Sequence, residues 1–248
     1  MTYTGDVTPG GPSDVRELTH LTIRKMSVSA MHNNVYLLTC HRTGAQLLID
    51  AADDPERCLA LVEEGTGRLD HLVTTHRHWD HTRALRAVAE ATGARTYAGA
   101  ADADALPLAP DVRLSHGDTI TVGEVALEVA LVSGHTEASA VLTYHDPDGH
   151  AHVFTGDCLF PGGVGATQND PSQSFESLYR DVRATSSTPT TTPRGSTRDT
   201  AVTPHSAPNA RTCRSGGTAA GDLPSLATVS GAFRSLRRAS VGPNLNRC

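Results

Sequence analysis

Apolar residues over the first 184 positions recur at two spacings, and the switches between them mark out the elements. Residues 18–28 predict a strand. Residues 33–40 and 46–51 predict a hairpin pair around the turn Arg42-Thr43-Gly44. Pro55 at a helix start, with Leu59 and Val62 on one face, predicts a first helix that Gly65 to Gly67 closes. Residues 71–75 read as a short buried strand. Residues 82–92 carry Leu85, Val88 and Ala89 at helical spacing, and Gly93 ends that helix. A short strand follows at 95–98, then an Ala/Asp/Pro connection over 99–111 to which no element is assigned. Strands are predicted at 119–122, 125–132, 140–145 and 152–155, with turn signals at Gly123 and Asp146-Pro147-Asp148-Gly149. A last helix over 172–182 places Phe175, Leu178, Tyr179 and Val182 on one side. Strands, helix, strands, helix is what two face-to-face sheets with helices outside require, an α/β fold class.

Composition divides the chain. Residues 1–184 hold 13 Lys+Arg against 25 Asp+Glu, a net of −12, whereas residues 185–248 hold 8 Arg and 2 Asp, a net of +6, together the chain's −6. The second part is rich in Ser, Thr, Pro, Gly, Ala and Arg with one aromatic, Phe233, a composition that cannot bury a core. The expected organisation is a flexible lead-in over 1–16, one domain over 17–183 and a disordered basic tail over 184–248. The arginines of that tail are too dispersed to form a nucleic-acid stripe, so no nucleic-acid partner is expected. No segment approaches the roughly 20 apolar residues needed to cross a bilayer, and residues 1–12 lack the charged and apolar regions of a signal peptide, so a cytoplasmic protein with no membrane partner is expected. The five cysteines, at 40, 58, 158, 213 and 248, share no C-x-x-C spacing, which indicates neither a disulfide framework nor a thiolate zinc site.

The chemistry concentrates in Thr75-His76-Arg77-His78-Trp79-Asp80-His81, where a predicted strand meets a predicted helix. Three imidazoles and a carboxylate this close are costly to hold neutral side by side unless a divalent metal binds them. His76 and His78 alternate as on extended chain and share one ion, while Asp80 and His81 turn toward a second; a helix-capping role for Asp80 also stays open. His135, in Gly134-His135-Thr136, would complete a three-imidazole site. Asp157 follows the last predicted strand through Gly156. An isolated Gly-Asp reads as an N-cap, but in this company a carboxylate bridging two ions is preferred. Cys158 should point the opposite way and pack, and Trp79, the one tryptophan, should prop the loop. The remaining histidines, His205 among them, show no partner pattern.

H-x-H-x-D-H after a hydrophobic strand, then Gly134-His135-Thr136, then Phe154-Thr155-Gly156-Asp157-Cys158-Leu159-Phe160, resembles the ligand motifs of metallo-β-lactamase-fold hydrolases in their order, over roughly residues 18–183. The resemblance implies an αββα four-layer sandwich with the metals in a groove at one edge of the sheets. It implies as ligands His76, His78, Asp80, His81, His135 and Asp157, with Asp80 and Asp157 acting in catalysis. Phe160-Pro161-Gly162-Gly163-Val164-Gly165 resembles the family's glycine-rich loop. The motif order is nearest the glyoxalase II-like thioesterase branch, which implies two zinc ions and a metal-bound hydroxide attacking a small-molecule thioester, ester or lactone. A mononuclear Fe2+ member of the sulfur dioxygenase type is the alternative, and an inactive chain is the third reading.

One motif of that branch is missing: a histidine in a Pro-Gly-His-Gly stretch beyond the bridging aspartate, so the fold's C-terminal part is expected to be lost. Read from the third base of each codon, residues 195–201 permit Val-Tyr-Pro-Gly-His-Gly, and Gly221 with Asp222 permits a stop. A shifted reading frame starting between about Arg183 and Pro189 is therefore expected to have replaced the C-terminus, with a weakened second metal site.

Overall fold

The computed structural model describes residues 3–186 and 227–228. Seven strands form the first sheet in sequence order: β1 (Asp14–Glu17), β2 (Leu21–Val28), β3 (Asn33–Cys40), β4 (Gln46–Ile49), β5 (His71–Thr74), β6 (Arg95–Gly99) and β7 (Val112–Leu114). Pairing is antiparallel from β1 to β4 and parallel from β4 to β7. The parallel pairs need crossovers, which α1 (Pro55–Glu64) provides from β4 to β5, α2 (Leu85–Thr92) from β5 to β6, and residues 100–111, with a 3-10 turn over Ala103–Ala105, from β6 to β7. The second sheet is antiparallel through β8 (Thr119–Val122), β9 (Val125–Val132), β10 (Ser139–His145) and β11 (Ala151–Phe154). A small hairpin, β12 (Leu159–Phe160) with β13 (Gly163–Val164), follows, then α3 (Phe175–Ser186); β14 (Ala227–Thr228) pairs in parallel with β11.

Because side chains alternate across a strand, each sheet presents two apolar faces. Leu38 and Leu47 face the second sheet and pack with Val129, Leu142 and Phe154. Their neighbours Leu37 and Leu48 face the helices and pack with Leu61, Val62, Leu85 and Val88. On the far side of the second sheet, Val132, Val141 and Val153 bury against Leu178 of α3. Helix, sheet, sheet, helix is the expected αββα sandwich. Each buried leucine or valine contributes roughly 1.5–3 kcal/mol, so the layering follows from the alternation itself.

Local chemistry sets the boundaries. Asp54 caps α1 by accepting from the Arg57 amide, with Pro55 in the first turn and Gly65 at the end. The helix expected from 82 begins only at Leu85, because the chain first makes a tight 3-10 turn over Trp79–His81. The lead-in is ordered further than its composition suggested: Asp14–Glu17 forms an edge strand, and the Asp14 carboxylate accepts from the Thr4 and Gly5 amides. β7 lies just after the 99–111 connection, where no strand is predicted; three residues are too few to show a period, and Asp111 fixes its start by accepting from the Thr96 amide and hydroxyl. The expected tail, with His205 and the alternate-frame motif, lies outside the described residues apart from the end of α3 and β14.

The register gathers one end of both sheets. The Ala140 amide donates to the Thr75 carbonyl at 2.7 Å, joining the start of β10 to the end of β5. Gly99, ending β6, is pressed against the Ala138 carbonyl, where a Cβ would overlap the oxygen. The segments carrying His76–His81, His135 and Asp157 all emerge at this end.

Candidate metal centre

Two groups of ligand atoms lie at that end. One nitrogen each from His76, His78 and His135 fall within 4.8 Å of one another, as do atoms from His76, His81 and Asp157. Imidazole centroids are 4.8 Å apart for His76–His78, 5.0 Å for His76–His135, 4.6 Å for His78–His135 and 4.2 Å for His76–His81. Asp157 sits between the groups, with Oδ1 3.3 Å from His81 Nε2 and Oδ2 3.8 Å from His135 Nε2.

The buried nitrogens test whether an ion fits. Nε2 of His76 and Nε2 of His135 are buried without a hydrogen-bond partner. Such an orphan costs about 1–3 kcal/mol unless something is meant to engage it, and here two of them converge on their neighbours. The opposite ring nitrogens are tied back. His76 Nδ1 donates to Thr75 Oγ1 at 3.0 Å, His135 Nδ1 to the Ala166 carbonyl at 2.8 Å, and His81 Nδ1 to Asp50 Oδ2 at 2.8 Å. A proton fixed on Nδ1 leaves the Nε2 lone pair inward, the tautomer a metal needs.

Electrostatics favours the same outcome at His76 and His78, and the opposite one at His81. Burial, reinforced by His81, His135 and His78, holds His76 well below the usual imidazole pKa, and burial with His135 lowers His78. Both are neutral donors at neutral pH. Burial opposes charge on His81 too, but the adjacent Asp50 and Asp157 carboxylates outweigh it and raise its pKa well above the usual value. Asp157, despite burial, is held below the ordinary carboxylate range by the His81 hydrogen bond and by its imidazole neighbours. A negative carboxylate among imidazoles suits a cation between them.

Five of the six expected ligands therefore meet in these groups, Asp80 lies in neither, and some details change. His76 belongs to both groups rather than to the first alone. Asp80 caps no helix: its Oδ2 accepts from Asn33 Nδ2 at 3.0 Å and lies 3.8 Å from His81 Nε2. Asp157 lies in the middle of a 3-10 turn over Gly156–Cys158, so it is not an N-cap. Cys158 is fully buried against Val141 and Leu178, and burial pushes its thiol up to about 12. Trp79 does not prop the loop from beneath; it is 58% exposed with the Arg83 guanidinium 3.9 Å above its ring. The glycine-rich segment forms the β12–β13 hairpin and its continuation, where Gly165 backs directly on the Asp157 carbonyl and Ala166 receives the His135 proton.

Two contributors were missed in the sequence. Asp50 accepts from the Thr75 amide and hydroxyl, both at 2.7 Å, and from His81. Its signal was an acid closing the apolar run Leu47-Leu48-Ile49. Asn33, which reaches both Asp80 and His81, starts a strand 47 positions before Asp80 and left no such mark.

A family model described as the metallo-beta-lactamase superfamily matches residues 28–201, a span that contains every residue of both groups. The chain belongs to the metallo-beta-lactamase superfamily. Within the superfamily it is 40% identical to a hydroxyacylglutathione hydrolase of Jannaschia sp. (strain CCS1) over 149 residues, 60% of this chain and 56% of that protein. A hydroxyacylglutathione hydrolase of Fuscovulum blasticum is 34% identical over 162 residues, 64% of this chain and 62% of that protein. The chain thus spans less than two thirds of the length of these relatives. Among solved structures, ETHE1 from Myxococcus xanthus is 30% identical with a TM-score of 0.57, covering 65% of this chain and 68% of that one. TTHA1623 in a di-iron-bound form is 26% identical with a TM-score of 0.54, covering 66% of this chain and 86% of that one. Among the described residues of this superfamily member, no helix is long and apolar enough to cross a membrane.

Proposed function

We propose that the chain is a metal-dependent hydrolase acting on a small-molecule thioester, of the hydroxyacyl-glutathione class that its curated relatives are named for. The observation that carries this is the pair of ligand groups sharing His76, with the Asp157 carboxylate between them. In this reading His76, His78 and His135 hold one ion, Asp80 and His81 hold a second, and Asp157 belongs to both. Three imidazoles beside an imidazole and carboxylates make a donor set suited to zinc or iron, and zinc is the first choice. Such ions, when bound, acidify water from a pKa of about 15.7 toward about 7 and polarise a carbonyl oxygen.

The chain's own residues prepare that chemistry. The Nδ1 hydrogen bonds of His76, His81 and His135 hold the three rings still and leave the Nε2 lone pairs of His76 and His135 inward, whereas His81, kept protonated by Asp50 and Asp157, would give up its Nε2 proton to an ion. Asn33 engages Oδ2 of Asp80, leaving Oδ1 to ligate or to take a proton from the attacking water. Asp157 stays anionic through its contact with His81. With the alternate-frame reading, the missing Pro-Gly-His-Gly histidine would leave the second ion weakly held and turnover low. Sequencing the gene across codons 180–225 checks that reading, and absence of those codons from the other frame would refute it.

The direct test purifies the chain, determines bound metals by elemental analysis, and follows Trp79 emission during zinc titration alongside hydrolysis of a hydroxyacyl-glutathione thioester. The expected result is zinc-dependent turnover that Asp157→Ala abolishes. Zinc binding with no turnover of any thioester would overturn the assignment. The second reading, one iron ion held by two histidines and Asp157, draws support from the likeness to TTHA1623, which is solved in a di-iron-bound form; iron in place of zinc, at one ion per chain, would decide for it.

A further inference from the structure

Asp102 lies on neither ligand segment, yet it is fully buried, and a buried carboxylate is tolerated only where strong donors satisfy both oxygens. Its donors come from two places. Oδ2 accepts from the Arg77 amide at 3.0 Å, and Oδ1 from the Ala138 amide at 3.1 Å, while the Arg77 guanidinium contacts Oδ1 at 3.4 Å. The Arg77 amide is the peptide joining His76 to His78's neighbour, so its direction sets how that extended stretch presents both imidazoles. Ala138 ends the loop that begins with His135. These are two segments of different sheets, about sixty positions apart in sequence, held by one side chain from a third segment just after β6.

The geometry points to Asp102 as a positioning residue for the three-imidazole site: it clamps the His76–His78 stretch to the His135 loop, so that the three Nε2-bearing rings stay at one ion's separation. The inference rests on the metal reading of the site but not on any substrate. Charge is needed for two reasons. An asparagine has one carbonyl oxygen, so its amide group would face either the Arg77 or the Ala138 N–H, donor against donor. It would also leave the largely buried Arg77 guanidinium without this counter-charge, with the exposed Glu137 at 3.5 Å, the Ser172 hydroxyl at 3.4 Å and the exposed Asp170 near it among the described residues. The close approach at Gly99 and the Ala140–Thr75 hydrogen bond already hold the sheets together nearby, so the fold has other ties there while the ring orientation depends on this one.

The test uses the full chain and two ions, Zn2+ and Co2+. Affinity is measured by competition with a chromophoric chelator, ring geometry by the Co2+ visible absorption bands, and folding by circular dichroism and thermal unfolding of the metal-free protein. Asp102→Asn should lower Zn2+ affinity about 10–100-fold, the usual effect of losing a hydrogen-bond partner just outside the ligands, and should shift the Co2+ bands. Asp104→Asn, in the same 3-10 turn but paired outward with Arg113, should change neither. Should Asp102→Asn fail to fold, Asp102→Glu decides: it keeps the charge for Arg77 but moves the oxygens by one methylene, and the same loss is expected. A folded variant at position 102 with parental affinity and parental Co2+ bands would overturn the role, whatever happened to its melting temperature. Parental protein that binds neither ion would instead sink the metal reading, a distinguishable failure.

Discussion

Replacing Asp50 by asparagine should separate the stability of the fold from the readiness of the site, because the amide keeps the shape and changes one proton. Asp50 is buried at φ 60°, a left-handed conformation that Asp and Asn adopt more easily than Ala. It receives three hydrogen bonds of 2.7–2.8 Å, from the Thr75 amide, the Thr75 hydroxyl and His81 Nδ1. Asp50→Ala removes them all, strands a buried His81 cation and adds backbone strain. Stranding the charge costs about 3–5 kcal/mol and the strain about 1 more, a large part of the 5–15 kcal/mol typical of a domain. Asp50→Asn behaves differently. Its single oxygen is claimed by the Thr75 amide, so its NH2 occupies the Oδ2 position and faces His81 Nδ1. The low-energy response is for the His81 cation to lose its Nδ1 proton, so that Nδ1 accepts, and to keep the proton on Nε2, the atom that would ligate. Asp50→Asn should therefore lose only about 1–2 kcal/mol in urea unfolding, as expected for a changed hydrogen bond. Its affinity for the ion at His81 should fall about 10–100-fold while the three-imidazole site changes less. Stepwise metal competition measures the two affinities, and nitrogen-15 NMR of the metal-free protein reads the His81 tautomer. A folded Asp50→Asn protein whose His81 keeps its Nδ1 proton, with both parental affinities, would refute this account.

Gly156→Ala should also reach the site through the backbone: φ there is +48°, and a Cβ would stand 2.6 Å from Thr75 Oγ1. The strain alone costs about 1–3 kcal/mol, and metal affinity should fall as Asp157 or Thr75 shifts; Gly162→Ala, at φ +98° in open space, should show the strain without the affinity loss. His152 is fully buried with neither ring nitrogen partnered among the described residues, and burial, aided by Arg16, lowers its pKa from 6.5. The unfolded chain then binds a proton that the folded one refuses, so this contribution to stability is whole above pH 6.5 and shrinks as pH falls through the window below it. His152→Leu should stabilise the protein by about 1–3 kcal/mol and flatten that acid-side slope; a melting difference from the parent that is the same on both sides of the window would exclude the mechanism.

The chain's pattern was enough for the strands and helices, with which the sandwich implied by the motif resemblance is compatible, and for most of the ligands, because both are written locally. Alternation in 33–40 and 46–51 assigns Leu37 and Leu48 to one face and Leu38 and Leu47 to the other wherever the strands end up. His76, His78, Asp80 and His81 betray themselves by crowding, since no ordinary loop gathers so many titratable groups. The three-residue β7 carried too little period to be seen, and the edge strand Asp14–Glu17 owes its order to a carboxylate that accepts from Thr4 and Gly5. What only the tertiary structure decided is how the ligands are held. Asn33, Asp50, Asp102 and Ala166 act on Asp80, His81, Thr75, Arg77 and His135 from tens of positions away, through hydrogen bonds that exist only once distant strand ends and loops are brought side by side. A hydrogen bond is directional and spans about 3 Å, whereas sequence spacing fixes distance only along one strand or one turn. The identity of the ligands was thus local, and their tautomers and mutual placement were not.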